Sequence, residues 1–170
     1  MYNSQLFLKD GYVYLFGGYN GSTVYTTILR ATTSNPLSWT SIGSLPEAIH
    51  GSVLGVVNGP TDGYVCLFGG IKSNNSQTNN IYAAPLSNLT SWTIAGTLPY
   101  SISYGQFVNV GTYAFLFTST SSSTSFTSIL RCSLSSPFSW YDFGFKIPGS
   151  VTQSQLAIID DRLFLFGGNG

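Results

Sequence analysis

The feature that most constrains this chain is a repeat of about 50 residues, marked in three independent ways. Double glycines fall at Gly17-Gly18, Gly69-Gly70 and Gly167-Gly168. The first two pairs are 52 residues apart, and the gap of 98 to the last holds two units of 49, with Thr118-Ser119 where a middle pair would stand. Trp39, Trp92 and Trp140 are 53 and 48 apart, and Pro46, Pro99 and Pro148 are 53 and 49 apart. Such a chain stacks one supersecondary unit on the next, and each unit buries a face that it could not bury alone.

Within each unit the runs are strand-like. The first unit reads SQLFLKD, YVYLFGG, TTILRATT and SWTSIGSLP; the second GSVLGVVN, GYVCLFGG, NNIYAAPL and SWTIAGTLP; the third YGQFVNV, YAFLFTS, TSILRCSL and SWYDFGFKIP. A fourth begins with SQLAIIDD and LFLFGG. The runs are short, alternate or are wholly apolar, and are separated by turn residues, with no sustained helical period. Asp10-Gly11, Asp62-Gly63 and Val110-Gly111 stand between first and second strands, where a tight hairpin needs positive φ, and Asp160-Asp161 takes that place in the fourth unit. Composition agrees. Charged residues make up only 7% of the chain, whereas 25 Ser, 17 Thr and an aromatic share of 15% suit pleated, half-buried surfaces. The stretch from Thr118 to Ser128, TSTSSSTSFTS, reads as a mobile loop between second and third strands, because both flanks keep the repeat phase.

A four-stranded unit near this length, with LFGG at Leu15–Gly18, Leu67–Gly70 and Leu165–Gly168, a Tyr or Leu in the third strand and a Trp opening the fourth, resembles the Kelch repeat. The resemblance covers the whole chain and implies an all-β fold, a β-propeller of four-stranded antiparallel blades. The blades are expected at about 4–49, 50–101 and 102–150, with half of a fourth at 151–170. Two features depart from the pattern: the third unit lacks the glycines, and each Trp sits in an S-W context whose turn is faintly similar to the Asp-box turn of sialidases without its Asp and Gly. The glycines are expected where a Cβ would obstruct the neighbouring blade. Propellers commonly have four to eight blades, so three and a half imply other blades, from a longer chain or from further copies. A chain that begins with a first strand cannot itself donate the third and fourth strands of the last blade, which favours a longer chain.

The surface carries the functional reading. Loops between second and third strands and between blades crowd one propeller face. They hold Tyr19, Asn20, Glu47, His50, Lys72, Asn74, Asn75, Tyr100 and Tyr104, the candidate ligand-binding residues. Tyr with Asn and Ser combines rigid aromatic area with adaptable hydrogen bonds. Arg30 and Arg131 occupy equivalent third-strand places; they could hold a carboxylate bidentately, but are expected on the solvent side of outer strands. Cys66 and Cys132 read as unbridged, Cys66 as a small buried hydrophobe.

Much is excluded. A net charge of zero offers no basic stripe to nucleic acid. One His and two Cys supply no usual zinc set and too few ligands for the copper oxidases that have Kelch-like propellers, so neither metal nor cofactor is expected. No apolar run is long enough to span a bilayer as a helix, and Met1–Asp10 lacks the marks of a targeting segment. No convergent set of titratable groups, nucleophile elbow or phosphate loop points to catalysis. The style, hydroxyl-rich and almost charge-free, is similar to phage tail fibres and adhesins. The expected function is therefore a non-catalytic virion or extracellular attachment module that recognises glycan or protein. The alternative is a carbohydrate-active propeller enzyme, similar to sialic acid mutarotases or sialidases.

Overall fold

The computed structural model describes residues 1–58, 62–120, 126–148, 154–160 and 162–167. Its strands are β1 (Gln5–Lys9), β2 (Tyr12–Phe16), β3 (Thr27–Thr32), β4 (Asn35–Ser44), β5 (Ile49–His50), β6 (Val53–Val57), β7 (Tyr64–Phe68), β8 (Ile71–Lys72), β9 (Asn80–Pro85), β10 (Thr93–Thr97), β11 (Ile102–Val110), β12 (Tyr113–Thr120), β13 (Phe126–Ser133), β14 (Tyr141–Pro148), β15 (Gln155–Ile159) and β16 (Arg162–Phe166). They form three four-stranded antiparallel sheets, β1-β2-β3-β4, β6-β7-β9-β10 and β11-β12-β13-β14, the hairpin β15-β16 and the short two-stranded pair β5-β8. This is a propeller-like arrangement: β6 contacts both β1 and β11, and β11 contacts β15, so the first strands of successive sheets are neighbours.

The turns follow from local chemistry. Asp10 (φ 48°) and Gly11 (φ 75°) are consecutive left-handed residues, which matches the hairpin twist and pairs Lys9 with Tyr12. The double glycines join sheets. Gly17 and Gly69 have φ of 58° and 61°, and a Cβ there would overlap the carbonyl oxygens of Ile49 and Ile102. Each following glycine donates its N–H to that same carbonyl, Gly18 to Ile49 and Gly70 to Ile102, both at 2.9 Å. Each pair thus clamps the end of a second strand onto the segment entering the next sheet.

The third sheet lacks the double glycine after its second strand and has no such break. β12 runs eight residues where β2 and β7 run five, and Thr118 pairs with Ser128. The expected loop from Thr118 to Ser128 is therefore mostly strand; its centre, residues 121–125, lies outside the described residues. β-Branched and hydroxyl residues without a left-handed position simply continue the ladder.

The core lies between the sheets. Phe16, Ile28 and Leu45 of the first meet Val65, Leu67, Tyr82 and Trp92 of the second. Phe68, Ile81 and Cys66 meet Leu116, Leu130, Cys132 and Trp140 of the third. Trp92 sits edge-on to Phe16 (4.9 Å, 62°) and Trp140 edge-on to Phe68 (5.1 Å, 69°), so each Trp packs on the preceding sheet. Their indole N–H groups donate to Leu89 O and Pro137 O. Trp39 is 37% exposed. Cys66 and Cys132 are both buried and free; burial pushes both thiols up, Cys132 to about 11.

Candidate axial site

At the inner edge of the sheets, three equivalent residues share one backbone conformation. Asn3 (φ 54°), Gly51 (φ 61°) and Tyr104 (φ 55°) each precede a first strand or interrupt one. They are chained: Gly51 N–H donates to Asn3 O (2.9 Å) and Tyr104 N–H to Gly51 O (2.8 Å). Asn3 and Tyr104 border a cavity of about 320 Å³ on the inner strands, whose polar side chains include Gln5, Ser52, Gln106 and Gln155. Gln106 Nε2 already donates to Ser154 O (2.5 Å), and Phe107, whose ring stacks on Phe68 in the core (5.6 Å, 12°), also borders the cavity.

Behind the cavity three expected residues come together. Tyr19 stacks on His50 (5.1 Å, 19°), and the Tyr104 hydroxyl lies 3.4 Å from His50 Nδ1. Asn3 Nδ2 in turn donates to the Tyr104 hydroxyl (3.1 Å). His50 is only 8% exposed, and burial lowers its pKa from the usual 6.5. A neutral imidazole accepting at Nδ1 completes the chain Asn3 to Tyr104 to His50. Burial also raises the Tyr104 phenol.

Glu47 and Lys72 form a second group, positioned because β5 pairs with β8 and sets Ile49 opposite Lys72. Glu47 accepts from Lys72 Nζ (3.2 Å), Asn80 Nδ2 (3.0 Å) and the Tyr82 hydroxyl. The Tyr82 hydrogen bond, followed by those of Lys72 and Asn80, outweighs burial and holds the Glu47 carboxyl below its ordinary 4.5. Burial, with the bond to Glu47, pushes Tyr82 up to about 12. This carboxylate is fully engaged and ionised.

The other expected residues stand apart. Asn20 caps its own loop, with Oδ1 accepting from Ser22 and Thr23 N–H and Nδ2 donating to Tyr25 Oη. Asn74 does the same for Ser76, and Asn75 takes the left-handed position (φ 62°) of its turn. Tyr100 packs against the core between the second and third sheets; its hydroxyl donates to Asp142 Oδ2 at 3.4 Å, and burial raises its pKa. Arg30 and Arg131 are partly buried over aromatic rings rather than free on the solvent side: Arg30 lies 4.5 Å from the Tyr12 centroid and Arg131 4.5 Å from that of Tyr113.

Sequence reasoning missed Asn3, Gln106 and the axial chain. Their only sequence signal is the repeat phase, which puts Asn3, Gly51 and Tyr104 48 and 53 residues apart with no residue type in common. Among the described residues no group of three or more His, Cys, Asp or Glu is placed to hold a metal.

No protein-family model matches the chain, and no curated protein does. Among solved structures, it is similar to YjhT, with a TM-score of 0.74 and 17% identity over 96% of this chain and 57% of that chain. The chain spans a little over half of that neighbour's length, and at this identity the likeness is one of fold: an all-β, propeller-like protein.

Proposed function

We propose that this protein is a Kelch-like binding propeller without catalytic activity, a virion or extracellular attachment module that takes a glycan, or a glycan-bearing protein, at the axial cavity. The observation that carries this reading is the lining. Asn3, Gln5, Ser52, Tyr104, Gln106 and Gln155, all with amide or hydroxyl side chains, line about 320 Å³ together with Phe107. Neutral donors and acceptors in a lining that includes Tyr104 and Phe107 suit sugar hydroxyls and C–H faces, and the volume falls at the lower end of ligand pockets. The nearby titratable groups favour binding over catalysis. Glu47 is tied in an ion pair, and His50 is held neutral under Tyr19. A general acid and base would need pKa values poised near working pH and a path to one substrate atom.

The relay from Asn3 through Tyr104 to His50 favours a second reading, a carbohydrate-active enzyme that moves a proton at the cavity wall. A glycan array followed by titration separates the two. The binding reading expects glycan capture that is lost in Gln106→Ala and Tyr104→Ala, with the sugar recovered unchanged. Chemical turnover that disappears in His50→Ala would replace it with the enzyme reading. An array silent at high protein density would remove the glycan and leave a protein ligand.

A further inference from the structure

The two equivalent arginines sit in unlike surroundings, and the difference defines a second site on the opposite rim. Arg131 is enclosed: Tyr113, Tyr141 and Phe143 lie 4.5, 5.1 and 4.4 Å from its guanidinium carbon, and its Nε donates to the Tyr141 hydroxyl. Arg30 keeps only the Tyr12 ring, the counterpart of Tyr113. The counterparts of Tyr141 and Phe143 are Thr40 and Ile42, as counted from Trp140 and Trp39. Where the third sheet has a phenol, the first has a cavity of about 290 Å³, lined by Arg30, Tyr12, Thr32, Asn35, Ser38 and Thr40.

Among the described residues the Arg30 side chain has neither a carboxylate partner nor a hydrogen bond, and Asp10, in the hairpin before Tyr12, is paired with Lys9. Its face is spent on Tyr12, which leaves the N–H fork for a ligand. Thr40 lies directly across the ladder from Arg30 and Asn35 across from Thr32, so hydroxyl and amide groups share the fork's side of the sheet. This side also carries Tyr14, which packs into the core shared with the second sheet. The cavity is at the Asp10-Gly11 end of the strands, away from the axial site at the double-glycine end.

We propose that the Arg30 cavity is a separate binding site for a carboxylated sugar, a uronate or similar sugar acid. The guanidinium would take the carboxylate bidentately, and Asn35, Ser38 and Thr40 the ring hydroxyls. The neutral axial site gives no reason for an acidic ligand, so this inference stands or falls apart from the proposed function.

Calorimetric titration with glucuronate, glucose and glucose 6-sulfate is the test. Glucuronate is expected to bind at least about tenfold more tightly than glucose, since a bidentate charged pair distinguishes them, and to weaken as salt rises. Arg30→Gln should abolish the difference. Thr40→Tyr, which rebuilds the third-sheet arrangement, should close the site while Arg131→Gln leaves it intact. Thermal melts of each variant check folding, and Thr40→Tyr carries the test if Arg30→Gln melts early. Equal binding of glucose and glucuronate, or a preference for glucuronate over glucose that survives Thr40→Tyr, overturns the proposal. Glucose 6-sulfate binding as tightly as glucuronate overturns its carboxylate specificity.

Discussion

At the residue scale, two constraints dominate, backbone handedness and charge. Gly17 and Gly11 both have positive φ, but only Gly17 faces a neighbour: a Cβ there overlaps the Ile49 carbonyl, whereas at Gly11 nothing lies within 4 Å. Gly11→Ala should therefore cost only the left-handed penalty of about 1 kcal/mol. Gly17→Ala adds a displaced sheet junction and should cost on the order of 3 kcal/mol, read as the shift in urea midpoint at constant slope. Equal costs would mean that the junction is not a close contact. The charge constraint has a definite sign. Burial holds His50 below its ordinary 6.5, so its contribution to stability is whole above pH 6.5 and is lost as pH falls through the folded value. Glu47 is held below 4.5, by Tyr82 first and then by Lys72 and Asn80, so its contribution is whole above pH 4.5 and lost below it. Melting temperature should fall in two stages on acidification. His50→Gln should flatten the first and Glu47→Gln the second. What was legible here was residue type: glycine pairs, the Asp-Gly turn and a His near the face. The left-handed positions of Asn3 and Tyr104 were not, because nothing in an Asn or a Tyr shows which conformation its neighbours will impose.

At the element scale, the sheet order could be read from the repeat because hairpin spacing and period-two runs are local. The junctions are not local. The β5-β8 pairing, two residues on each side, follows from where two sheets meet, and so does the pairing of Glu47 with Lys72. The same holds for Thr118-Ser119, where two residues in place of the glycines continue β12 to Thr120. Between sheets the repeated contact is a Trp edge on a Phe. Trp92→Ala and Trp140→Ala each remove a buried ring and leave a carbonyl without its indole donor, so each should cost about 3–5 kcal/mol. Trp39, with 37% of its surface exposed, should cost about 1 kcal/mol when truncated. Chemical denaturation of the three variants measures this directly. A Trp39→Ala cost as large as the others would show that another surface covers that ring in solution.

At the scale of the whole molecule, the described strands give three four-stranded sheets, a terminal hairpin and the small β5-β8 pair, and propeller rings close with four to eight blades. Among the described residues β16 pairs only with β15, and the hairpin exposes Ile158, Ile159, Leu163, Phe164 and Phe166. The first sheet exposes Leu6, Leu8, Leu37 and Trp39. The interior junctions indicate what these surfaces fit. Trp39 corresponds to the Trp residues that pack on a preceding Phe, and Phe166 corresponds to Phe16 and Phe68, which receive a Trp. Open strand edges and apolar patches on a chain with 7% charge favour association over a free monomer. The 170-residue chain alone should therefore form native particles heavier than 18.3 kDa, with light scattering that rises with concentration. Ile158→Lys places a charge across the ladder from Leu163, on the hairpin and outside the axial cavity's lining, and should shift those particles toward monomer. If the natural protein has a denatured mass above 18.3 kDa, further blades of the same polypeptide cover these faces, and the association of the short chain is a substitute for them. If the denatured mass is 18.3 kDa and Ile158→Lys disperses the particle, copies of this chain cover one another. A monomer at all concentrations would refute the exposed-face argument, since neither source of blades would then be needed for solubility.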